Sequence, residues 1–65
     1  MNIIVNAKPH DITATTLDAV LIELGFTSKA IATARNGIFV PAADRSGTAL
    51  QQGDRLEILS PMQGG

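Results

Sequence analysis

Leu17, Val20, Leu21 and Leu24 recur at i, i+3, i+4 and i+7, the spacing that lays four apolar side chains along one face of an α-helix. This is the clearest helical stripe in a chain of 65 residues. A lone helix with one apolar face must bury it against another layer, and the layer left to supply is a sheet. Thr15 or Thr16 can cap the helix, and Thr15 with Asp18 approximates a capping box. Gly25 follows the last leucine and suits the left-handed conformation that ends a helix, with Phe26 folding back on the last turn. The pattern predicts a helix of about nine residues.

Extended segments flank it. Ile3 and Val5 recur two residues apart in a short β-branched run bounded by Asn2 and Asn6, so Asn2 to Asn6 is predicted as the first strand. Pro9 places a turn at Ala7-Lys8-Pro9-His10, with a return strand over Asp11 to Ala14. Asn36-Gly37 is the strongest hairpin signal, because a two-residue type I′ turn needs positive φ at both positions. It joins a strand at Ala30 to Arg35 to one at Ile38 to Val40, which Pro41 ends. Ala42 to Leu50 is irregular, with one short helical turn at Asp44 to Thr48. Gln52-Gly53-Asp54 is a further turn, its carboxylate placed to bond nearby backbone amides, and Leu56, Ile58 and Leu59 form a last strand that Pro61 closes. The order β-β-α-β-β-β predicts an α+β domain: a small mixed sheet of about four or five strands with one helix across one face. With the first and last strands parallel in the middle, this is a β-grasp arrangement.

Composition removes most kinds of chemistry. There is no Cys, His10 is the only imidazole, and Phe26 and Phe39 are the only aromatic residues. Thiolate nucleophiles, a two-histidine metal site and a base-stacking platform are thereby excluded within one chain. The five basic residues are scattered and the net charge is −1, so no nucleic-acid footprint is expected. His10 beside Asp11 is a solvated pair rather than a general base, since adjacent residues on a turn seldom converge on one substrate. No catalytic residue and no metal ligand are expected. The opening residues lack a signal-peptide pattern and no apolar run approaches a membrane span, so a cytoplasmic location is expected and a membrane partner is not.

What the composition does suggest is a docking face. Charged residues are 17 % of the chain, against about 25 % in ordinary domains. Period-two alternation sets Ile4 opposite Ile3 and Val5, and Leu59 opposite Leu56 and Ile58. If the helix covers the second set, Ile4, Ile38, Val40 and Leu59 lie on the open face, extending to Met62. Arg55 and Glu57 share one side of the last strand and are candidate partner contacts.

After Pro61 the chain reads Met62-Gln63-Gly64-Gly65. The expected division is a domain over 1–61 and a flexible tail over 62–65 that extends by roughly 13 Å. Glycines have no Cβ and full φ freedom, so such a tail can thread a narrow slot and present its carboxylate in any pose.

In this order and at this length, the motifs resemble the ThiS family, the sulfur carrier proteins of thiamine biosynthesis. Ile-Ile-Val-Asn at 3–6 resembles the opening strand, and Thr16-Leu17 with Leu21, Leu24 and Gly25 the helix and its stop. Asn36-Gly37 with Val40-Pro41 resembles the central hairpin, Leu50 to Ile58 the last turn and strand, and 62–65 the tail. Arg35 departs from the pattern where the family is usually apolar, and Ala42 where a basic residue is common.

The resemblance implies a ubiquitin-like β-grasp carrier that is a protein substrate and not an enzyme. Gly65 would be the attachment point, first as a glycyl adenylate and then as a thiocarboxylate, with Gly64, Gln63 and Met62 threading the tail into partner sites. The implied partners are an E1-like adenylyltransferase, a cysteine desulfurase or sulfurtransferase as sulfur source, and thiazole synthase as acceptor. ATP and metal would belong to the adenylating enzyme, with no intrinsic cofactor. Two other classes share these features: a small subunit of the molybdopterin-synthase type, and a noncovalent β-grasp module or ubiquitin-like modifier.

Overall fold

The computed structural model describes residues 1–28 and 30–60. Strands β1 (Asn2–Val5) and β2 (Lys8–Asp11) form an antiparallel hairpin with Ile3 opposite His10. The turn is Asn6-Ala7, not residues 7–10, because both central residues take positive φ (49° and 71°) and close the two-residue turn. β2 is accordingly earlier than the expected Asp11 to Ala14 and contains Pro9. The strand tolerates this because β2 is an edge, where a missing N–H costs no ladder bond.

Helix α1 (Leu17–Glu23) buries Leu17, Val20 and Leu21. Its C-terminus is a Schellman motif. The Phe26 N–H donates to Leu21 O (2.8 Å) and the Gly25 N–H to Ile22 O (3.1 Å), with Gly25 at φ 89°. Phe26 packs back against the core as expected. At the other end the expected capping box does not form. Thr16 is the N-cap without a side-chain cap bond, and its hydroxyl donates instead to Asp18 Oδ1 at 2.6 Å. The helix start is fastened by backbone: Leu17 N–H donates to Thr48 O and Leu50 N–H to Thr15 O. Glu23 accepts from the amides of Ala14 and Thr13, and these bonds hold its carboxyl below the ordinary value.

β3 (Ala32–Arg35) and β4 (Ile38–Val40) flank Asn36-Gly37, whose φ values of 51° and 84° are those the hairpin signal requires. A 3-10 segment (Ala42–Gly47) carries Arg45 back to β3, where Nη2 donates to Ile31 O at 2.7 Å and Nε to Thr33 Oγ1 at 3.2 Å. β5 (Arg55–Leu59) is the central strand. The sheet order is β2-β1-β5-β3-β4, with β1 parallel to β5 and the other neighbours antiparallel. One helix on one face of this five-stranded mixed sheet is the expected β-grasp fold. The core between the layers centres on Ile3, Ile12, Leu17, Val20 and Leu56, all essentially inaccessible to water.

Candidate functional site: the open sheet face

The register decides which residues face away from the helix. Thr33 is buried, with Arg45 Nε on its hydroxyl, and pairs with Val40, so Val40 also points inward and is 8 % exposed. Val40 is therefore core and not part of the open face. Its carbonyl accepts from Thr33 Oγ1 (2.9 Å), which satisfies a hydroxyl that would otherwise be costly to bury. Ile38 lies two residues before Val40 and shares its side of the sheet. It is 72 % exposed because it sits at the rim, not because it faces the open side.

The open face takes its β4 contribution from the residue between them. Phe39 pairs with Ala34, which pairs in turn with Glu57, and Ala32 pairs with Leu59. Phe39 (64 % exposed) and Leu59 (71 %) thus rise on either side of two alanines. The small side chains on β3 leave a shallow groove of about 420 Å³ between these walls, lined also by Asn6, Ala7 and Glu57. Ile4 pairs with Arg55 on the same side, half-buried beside an exposed arginine. The structure therefore brings together Ile4, Leu59, Arg55 and Glu57 of the expected surface, adds Phe39, Ala32 and Ala34, and removes Ile38 and Val40. Phe39 was within reach of sequence reasoning, since Asn36-Gly37 fixes its pairing with Ala34.

Beneath one end of this face, three groups converge on the Asp54 carboxylate, which is 8 % exposed. Arg35 Nε donates to Oδ2 (2.8 Å), Asn36 Nδ2 to Oδ1 (3.0 Å) and the Gln51 amide to Oδ2 (2.8 Å). Burial pushes the carboxyl up, but these bonds and the Arg35 charge outweigh it and hold Asp54 below the ordinary carboxylate value. This gives Arg35 a buried partner at a position where the resemblance to the ThiS family implies an apolar residue. Asn36 completes the junction, accepting from the Arg55 amide at 2.9 Å, so the β3–β4 turn and the start of β5 are tied as one unit.

Met62, Gln63, Gly64 and Gly65, the expected tail and attachment point, lie outside the described residues, as does Pro61. β5 carries the chain as far as Leu59 on the open face, next to the groove. His10 and Asp11 are neighbours in β2 and alternate to opposite sides, so they form no common site. Among the described residues no cluster of His, Asp or Glu could hold a metal ion, and no helix is long and apolar enough to cross a membrane.

Comparison with known proteins places these features. The ThiS family profile matches residues 3–65. The crystal structure of a thiamine biosynthesis protein (ThiS) from Geobacter metallireducens superposes with a TM-score of 0.84 at 26 % identity, over the whole of both chains. An NMR structure of a thiamine biosynthesis protein from the same organism gives 0.80 at 27 % identity, covering 100 % of this chain and 88 % of that one. Two curated proteins, the thiazole synthases of Paramagnetospirillum magneticum and Magnetococcus marinus, are each 35 % identical over the whole of this chain. The chain spans about a fifth of their length (20 %).

Proposed function

Because the chain belongs to the ThiS family, the sulfur carriers of thiamine biosynthesis, we propose that it carries sulfur on the carboxyl of Gly65 to thiazole synthase. The observation that carries this reading is the family match, which extends through residue 65 and so includes the glycine pair. The thiazole synthase relatives contain a stretch similar to this whole chain, which supports that enzyme as the sulfur acceptor.

A carboxylate is a poor acyl donor, so the Gly65 carboxylate first attacks the α-phosphorus of ATP in an E1-like adenylyltransferase, releasing pyrophosphate. The resulting acyl adenylate has AMP as a good leaving group. The terminal sulfur of a persulfide, supplied by a cysteine desulfurase or sulfurtransferase, attacks the acyl carbon and AMP departs. A thiol then cleaves the sulfur–sulfur bond, taking the donor sulfur into a disulfide and leaving the Gly65 thiocarboxylate. The chain's own residues hold the docking face and deliver the tail; Gly64 and Gly65 lack the Cβ that would block a narrow slot, with Gln63 and Met62 behind them. ATP and any metal are bound by the adenylating enzyme.

Reconstituted thiazole formation tests this reading. With adenylating enzyme, persulfide donor and thiazole synthase present, product is expected to require the chain, and removal of Gly65 is expected to reduce it to the level seen with no carrier. Equal product with the Gly65-deleted chain contradicts it.

A further inference from the structure

β5 runs farther than its strand partner on one side. β1 pairs with β5 as far as Val5 opposite Leu56, and then turns away at Asn6. Leu56 and Ile58 both direct their backbone groups toward β1. Leu56 O accepts the Asn6 N–H at 3.0 Å, but Ile58 has no backbone partner left there. The Asn6 side chain takes the missing place. Its Oδ1 accepts the Ile58 N–H at 2.8 Å and its Nδ2 donates to the Ile58 carbonyl at 3.1 Å. A single carboxamide thus imitates one residue of strand, supplying both donor and acceptor to the last part of β5 before the chain continues toward Gly65.

Only a short amide fits. Asn6 sits at φ 49°, a conformation that Asn tolerates better than most residues, and from there its side chain is directed along the line of β1. Without it, the Ile58 N–H and carbonyl would lie unpaired beside the groove, and the end of β5 would be held only by β3. Asn6 lies at the edge of that groove, so the clamp fixes the strand that leads out of it.

We propose that Asn6 is a positioning residue for sulfur loading: its carboxamide clamps Ile58, fixing where residues after Leu59 leave the sheet relative to the open face. This rests on the carrier reading above. A docked chain whose exit point is fixed presents its tail from one place; a frayed exit spreads the tail over many poses, of which few reach the partner's site.

The test is the steady-state rate of Gly65 loading with the adenylating enzyme, using the parent chain, Asn6→Gly and Asn6→Asp. Glycine keeps the positive φ and removes only the clamp. Aspartate keeps the acceptor for the Ile58 N–H but sets a carboxylate against the Ile58 carbonyl. Asn6→Gly is expected to lower kcat about tenfold with KM unchanged, Asn6→Asp to fall between, and the Ile58 amide to exchange faster in both. If Asn6→Gly does not fold, Asn6→Asp carries the same comparison. Parent-like kcat together with a deprotected Ile58 amide overturns the positioning role and leaves the carrier reading standing. A raised KM at constant kcat overturns it also, making Asn6 a docking contact. A parent chain that does not load overturns the carrier reading, and this role with it.

Discussion

A chain carrying Phe39→Lys and Leu59→Lys together is expected to fold as the parent does and, on the proposed carrier function, to lose about a thousandfold in loading efficiency by an E1-like adenylating enzyme. Both side chains are mostly exposed, at 64 % and 71 %, so neither contributes to the core and surface changes of this kind cost only about 0.5 kcal/mol. Lysine is well tolerated at such positions, and Glu57 lies beside them to offset the added charge. The expected loss arises on docking. Anchors of this type are worth about 2 kcal/mol each when a partner desolvates them, and each 1.4 kcal/mol is a factor of about ten. Ile22→Lys is the matched control, since Ile22 is equally exposed at 70 % but lies on the helix, in the other layer. It should load at the parent rate. Similar losses from both variants would mean that the open face is not the docking surface.

The second large effect concerns stability. Asp54→Ala leaves the Gln51 amide and the half-buried Arg35 without their shared acceptor, which should cost about 2–3 kcal/mol. A domain of this size has about 3–10 kcal/mol in total, so its melting temperature should fall by about 10–20 °C. The difference between parent and variant should also depend on pH. Asp54 is held below its ordinary value in the folded state, so its contribution is complete above the unfolded carboxylate value of about 3.9. It is lost as pH falls through that value toward the lower folded one. Melting curves between pH 7 and pH 3 should show the two proteins converging at the acid end. The parent will still lose some stability there on its own, because the Glu23 carboxyl is lowered in the same sense. A gap that stays constant or widens in acid would show that the carboxylate is not what holds Arg35 and Gln51.

The features legible in the sequence were those set by neighbours in the chain. The helix stripe from Leu17 to Leu24, its stop at Gly25 and the Asn36-Gly37 turn depend on spacing and on local φ, and the structure has all three. The first hairpin was harder because its turn uses Ala7 at positive φ, which alanine does not advertise, while Pro9 suggested a turn that the edge position of β2 makes unnecessary. The assignment of faces failed at β4 for a different reason. Alternation says that Ile38 and Val40 share a side, but not which side; that is settled by pairing with Thr33, whose inward hydroxyl is satisfied by Val40 and Arg45. Arg35 and Asp54 lie 19 residues apart, and no local pattern joins them. The clamp between Asn6 and Ile58 spans 52 residues and follows from the parallel contact of β1 with β5.

The claim on which the rest depends is that Gly65 carries sulfur. The intact mass of the chain after incubation with ATP, the adenylating enzyme and a persulfide donor tests it most directly, with a Gly65-deleted chain alongside. A mass gain equal to one oxygen replaced by one sulfur is expected, present in the full chain and absent from the deletion. An unchanged mass with partners that load another ThiS protein under the same conditions would contradict it.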